Sequence, residues 1–202
     1  HDRVGDPDFK RLRGQGDPGM TAEIDIINRS LTEIAARQPI SGSPPTYDNS
    51  AAAVAAVQLY QPAVETLLRQ QDFEFARTVA PLAVQAGTPP LGWAFQYTYP
   101  ATCLRVRQIV PATFDPFDPQ PVVWDVGTVS GVRVVWVNEA SAQIVFTTNA
   151  ITENEWDSLF TEQMVRYLGS MLAMPVGGRP DFSREMLGQA GGLGEAGRDR
   201  DS

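Results

Sequence analysis

The sequence predicts an α+β fold: an antiparallel helical bundle with a small antiparallel β-sheet or sandwich inserted into it, and an extended arm at either end. Three observations predict it. Apolar residues recur at helical spacing in two early stretches and one late one. Between them, after Thr88-Pro89-Pro90, the pattern changes to strand-like alternation. Both ends lose the apolar pattern and fill with glycine and charge.

Residues 1–19 are polar, with Gly5, Pro7, Gly14, Gly16, Pro18 and Gly19, and read as a flexible arm or leader ahead of Met20. Thr21 is placed to cap a first helix, with Glu23 and Asp25 at the positive end of its dipole. Ile24, Ile27, Leu31 and Ile34 form its apolar stripe, and Pro39 ends it. Gly42-Ser43-Pro44-Pro45 is a loop. A second helix runs from Ala51 to about Gln70, capped by Asp48, Asn49 or Ser50, with Val54, Val57, Val64, Leu67 and Leu68 inward. Its alanines suit close helix–helix approach, and Pro62 should kink or interrupt it.

Phe95, Tyr97 and Tyr99 alternate, followed by Leu104 and Val106, and further β-rich runs lie at 122–126, 132–137 and 144–148. Asp115-Pro116, Asp118-Pro119, Ser130-Gly131 and Asn138-Glu139 separate them as turns, giving four or five strands. Thr152 and Glu155 then make a capping box. Trp156, Phe160, Met164, Tyr167, Leu168 and Met171 share a helical face that Pro175 and Gly177-Gly178 close. Beyond it, Asp181 can cap a short amphipathic turn presenting Phe182, Met186 and Leu187, and the glycine-rich end reads as mobile. The resulting organisation is an arm (1–19), a helical part (20–88 with 150–176), a β-part (89–149) and a C-terminal arm (177–202).

The chain has 202 residues, 16 basic and 24 acidic side chains, and a net charge of −8. That sign disfavours high-affinity binding to duplex nucleic acid. One cysteine, Cys103, leaves no internal disulfide and no cysteine-based zinc site, and the one histidine is His1. A Ser–His–Asp triad with an internal histidine is therefore excluded, as is an H-E-x-x-H zinc site. The longest apolar run, Ala51 to Val57, falls far short of the roughly 20 residues of a membrane span. With no apolar leader visible, the chain reads as soluble and made in a reducing compartment.

The remaining chemistry is sparse. Asp115 and Asp118 could hold a hard cation or act as an acid–base pair, but Asp-Pro twice in a loop reads more simply as turn formation. Glu153, Glu155 and Asp157 suit a helix N-terminus. The C-terminal glycines lack the Gly-Lys-Ser/Thr of a phosphate loop. Cys103 reads as a buried strand thiol without a base. Arg105 and Arg107 face one side of a strand, as a solvated or interface surface more than a phosphate site. No catalytic, cofactor or metal site emerges, so the function expected is contact, not catalysis.

Several blocks together resemble a known family. Asp72-Phe-Glu-Phe-Ala-Arg77, following the long helix, is similar to the segment "aromatic–x–Phe–Ala–Arg" of phage head-to-tail adaptors of the tail tubular protein A kind, on Phe73, Phe75 and Arg77. The run Gly-Trp93-Ala-Phe-Gln-Tyr97-Thr-Tyr-Pro100-Ala-Thr-Cys-Leu104-Arg105-Val106 resembles that family's most specific stretch, on Trp93, Tyr97, Pro100, Leu104 and Arg105. Ile151-Thr-Glu-Asn-Glu-Trp-Asp157-Ser-Leu-Phe160 looks like its closing segment. The likeness covers about three quarters of the chain, from Met20 to Pro175; the family's tryptophan near Phe73 is absent.

The resemblance implies a structural virion protein: a ring, of twelve copies, in the virion neck beneath the portal protein. Its other rim would meet the tail nozzle or next tail component, and DNA would pass through without specific binding. Assembly would take place in the host cytoplasm, with no membrane partner and no cofactor. An acidic lumen would repel phosphate, and Phe182, Met186 and Leu187 would dock on the portal. Competing readings are a non-viral scaffold or binding protein, a metal-dependent hydrolase using Asp115, Asp118 and Asp125, and a head-completion protein of a long-tailed phage or gene-transfer particle.

Overall fold

The computed structural model describes residues 23–36, 38–113, 120, 122–178, 181, 184–185 and 187–190. The readings of the N-terminal arm, the Thr21 cap, Asp115, Asp118, Phe182, Met186 and the tail from 191 lie outside the described residues.

The order is α1 (Glu23–Glu33), β1 (Gly42–Ser43), β2 (Thr46–Tyr47), α2 (Ala51–Gln70), β3 (Arg77–Pro81), β4 (Phe95–Thr98), β5 (Cys103–Val110), β6 (Trp124–Val129), β7 (Val132–Val137), β8 (Gln143–Thr148) and α3 (Ser158–Leu172). This is an α+β fold with three small antiparallel sheets: β1–β2, β3–β8–β5 and β4–β7–β6.

Two cores hold it together. In the first, α3 contacts both α1 and α2, and Ile27, Leu31, Ala56, Leu67, Leu68, Phe160, Met164 and Leu168 are buried together. Full burial of each large apolar side chain here contributes about 1.5–3 kcal/mol. In the second, the two larger sheets share a core of Tyr97, Val106, Ile109, Val135, Val137, Ile144 and Phe146. Leu104 on β5 belongs to the helical core while Val106 and Ile109 belong to the other, so β5 joins the two.

The second helix has the bounds its sequence predicts, and Ser50 caps it by accepting from the Ala53 amide. Its inward face is different. Val54 and Val57 are each 52% exposed, whereas Ala53, Ala56, Tyr60 and Ala63 are buried with Val64, Leu67 and Leu68. The phase of the helix turns Ala53, Ala56 and Ala63 to the buried side and Val54 and Val57 to the exposed one. The helix runs through Pro62 without a break.

Three further elements depart from expectation. Arg77–Pro81, within the span 20–88 read as helical, is a strand pairing with β8 from Arg77↔Thr147 to Pro81↔Gln143. β6 begins at Trp124 and extends to Val129, because Ser130 and Gly131, both at positive φ (50° and 82°), close a two-residue hairpin onto β7. The Thr152–Glu155 capping box is present, but it caps a 3₁₀ turn; α3 starts later, where Asp157 accepts from the Phe160 amide.

Candidate functional site

The chain leaves α2 at Gln70 and makes a 3₁₀ turn over Glu74–Ala76 before entering β3. That turn lays Phe73 and Phe75 on Phe160 of α3, with ring centroids 4.8 and 5.1 Å away, and Trp156 completes the cluster at 4.8 Å. Edge-to-face aromatic pairs add about 0.5–1.5 kcal/mol each beyond burial. Asp72, just ahead of the turn, meets two arginines of β5. Arg105 pairs with its carboxylate, and Arg107 Nε lies 3.2 Å from Oδ1.

Arg107 is the centre of this arginine clamp. Its Nε also donates to Thr147 Oγ1 on β8 at 2.9 Å, one of its Nη atoms donates to the Phe73 carbonyl, and Glu74 lies 3.7 Å away. Its side chain is only 9% exposed, against 39% for Arg105. Burial pulls the Arg107 pKa below the ordinary guanidinium range, and Asp72 and Glu74 oppose that shift. Register shifts between Cys103 and Arg105 and between Val106 and Gln108 interrupt the pairing of β5 with β8 here.

The clamp thus draws together Phe73, Phe75, Leu104 and Arg105, from two sequence blocks about thirty residues apart. Arg77 begins β3 beside it and is exposed. Trp93, Tyr97 and Pro100 lie elsewhere. Trp93 is half-buried in the turn before β4, donating its amide to Pro90 O; Tyr97 is buried between the sheets with its hydroxyl donating to Glu139 O at 2.9 Å; the Pro100 carbonyl accepts from the Cys103 amide. Sequence reasoning quoted Asp72 as part of a motif and placed Arg107 with Arg105 on a solvated or interface face of a strand. The joining role of both was missed, because pairing across β5 depends on its bulges.

A second polar cluster joins α1, the β1–β2 hairpin, α2 and the turn before α3. Tyr47 donates to Glu23 Oε1 at 2.8 Å, and Tyr60 donates to Glu153 Oε1 at 3.1 Å. Burial raises the Glu23 pKa; the Tyr47 hydrogen bond lowers it and the Glu153 charge raises it further. Both tyrosine pKa values are raised, chiefly by burial, so both hydroxyls stay protonated donors.

The outer face of α2 carries two exposed valines. From Ala51 to Val64 the helix carries no charged residue, and Val54 and Val57 stand half-exposed one turn apart. Leu187, read as a docking residue, is 52% exposed at the rim of a groove between α2 and α3. A half-open hollow of about 810 Å³ sits where α1 ends and α2 begins, lined by Ile34, Pro39, Asp48, Ser50 and Val176.

Cys103 is a free, buried thiol whose pKa burial raises. Asp125 accepts from the Val126 amide on β6. Among the described residues no group of three or more His, Cys, Asp or Glu is placed to hold a metal ion, and no helix is long and apolar enough to cross a membrane. No protein-family model matches the chain, and no curated protein sequence matches it.

Proposed function

We propose that this chain is a structural virion protein, a head-to-tail adaptor that forms a ring of twelve copies between portal and tail and lets DNA pass. On this reading its helices are an antiparallel bundle, its strands an inserted domain, and its arms the links to partners. The observation that carries it is the clamp. The blocks around Asp72 and Arg105, on which the family resemblance rests, converge in space on one joint between helices and sheet.

Charge supports the same reading. Residues 20–176 carry eight basic and fifteen acidic side chains, net −7, suiting a lumen that repels phosphate. Arg29, Arg69 and Arg105, which would grip DNA if free, pair with Glu162, Glu65 and Asp72. The charge-free face of α2 gives acid-rich copies a surface on which to meet without repulsion.

Negative-stain microscopy of the purified chain, with and without portal, tests the proposal. Rings that stack coaxially on the portal are expected. Single globules that ignore the portal would overturn it.

A further inference from the structure

Five of the eight arginines between residues 20 and 176 gather in one place on the sheets. Arg77 of β3 and Arg105 of β5 flank Thr147 of β8 in one cross-strand row, two strand spacings or roughly 10 Å apart. Arg107 donates to Thr147 between them. Arg69 and Arg133 close the group around Cys103: burial raises the pKa of its thiol, and the charges of Arg133 and Arg69 both work against that. Glu65, Asp72 and Glu74 are the carboxylates that answer, and they serve Arg69, Arg105 and Arg107. Arg77 is exposed, and Arg133 is exposed with its guanidinium 3.9 Å over the Tyr99 ring. Neither meets a carboxylate among the described residues. A chain of net charge −8 thus carries an exposed positive patch.

We propose that the patch around Arg77 and Arg133 is a contact between copies of this chain, and that it receives the carboxylates of Glu153, Glu155 and Asp157 from a second copy. Those three lie close together ahead of α3, and the Glu153 charge reaches Glu23 on α1. Tyr60, the Thr152 amide and the Phe160 amide donate to them, but no basic side chain pairs with them among the described residues. Each copy therefore brings uncompensated groups of both signs, and two copies match what one leaves unpaired. Guanidinium forks suit carboxylates, which each take two parallel hydrogen bonds. Duplex DNA fits the patch less well, because the net charge of −8 repels it at long range. The inference rests on the self-association in the adaptor reading and is independent of portal and tail.

Sedimentation velocity of the full chain alone, without portal, tests it. R77E/R133E should self-associate about tenfold more weakly than the wild type. So should E155R/D157S, in which serine keeps the α3 cap. Mixed one to one, the two variants should recover a complex that neither forms alone, because each presents the charge the other needs. That complex should weaken between about 50 and 500 mM salt. No recovery on mixing, with both variants folded by circular dichroism, or a wild type that stays single, would overturn the contact; the ring reading is then judged by its own test with portal. Duplex DNA binding that R77E/R133E loses and E155R/D157S keeps would assign the patch to a polyanion and overturn the contact as well.

Discussion

Arg107 on β5 and Asp72 after α2 are bound to each other across the junction of the two cores, Nε to Oδ1 at 3.2 Å. The same guanidinium also satisfies the Phe73 carbonyl and the Thr147 hydroxyl. Arg107→Met strands both acceptors in a nearly dry site, where each lost charged hydrogen bond costs about 1.5–3 kcal/mol. Arg105→Ala removes a largely solvated ion pair worth about 0–1 kcal/mol. Urea unfolding of the two variants should therefore rank Arg107→Met well below Arg105→Ala; equal midpoints would show that the clamp does not hold the junction.

Gly127 lies against the Trp136 ring: a Cβ there would stand 2.1 Å from the ring edge. Trp136 cannot swing away freely, because its indole N–H donates to Gln96 at 3.0 Å and Gln96 is buried. Gly127→Ala is expected to cost about 1–3 kcal/mol, by overpacking. Denaturant titration checks this, and an unchanged midpoint would contradict it.

The Glu23 carboxyl has its pKa raised in the fold, by burial first and then by Glu153. The folded state therefore favours its protonated form. The stabilisation this brings is fully present below the unfolded pKa near 4.5 and fades as pH rises through the higher folded value. Glu23→Gln keeps an acceptor for Tyr47 and removes the charge. Thermal unfolding from pH 4 to pH 8 should find the variant more stable than the wild type at neutral pH, with the gap closing toward acid. A gap that widens toward acid would reverse this account of the cluster.

Much of the architecture is readable from the residues alone, for identifiable reasons. Ala51 to Gln70 announces itself by composition, Ser50 by capping chemistry, and Ser130-Gly131 by the backbone a tight hairpin needs. What escapes is set by tertiary contact. Val54 and Val57 look like core residues because they are apolar, yet the phase of the helix turns Ala53, Ala56 and Ala63 inward instead. Arg77–Pro81 lacks a strong alternating pattern and is a strand because β8 offers it an edge. The clamp is legible as a string of residue types, but its partners are set by the bulges of β5.

The C-terminal arm lies against its own chain through Ala190 while Leu187 remains half-exposed. Ending the chain after Gly178 removes both and should leave the two cores folded, because among the described residues neither core includes one beyond that point. Circular dichroism should stay that of the full chain while head–tail joining in an assembly extract is lost. Truncated protein that still joined heads would remove the arm from the proposed docking.

On the adaptor reading proposed above, copies of the chain meet through the uncharged face of α2. Sedimentation velocity of the wild type and of V54E/V57E, each mixed with portal rings, checks this contact. Both valines are half-exposed, so the double variant should keep its fold, surface changes of this kind costing within about 0.5 kcal/mol each. The wild type is predicted to sediment as a closed multi-copy particle and the variant as a folded 22.0 kDa monomer. Equal sedimentation of the two, whether both assemble or both stay single, would contradict the account.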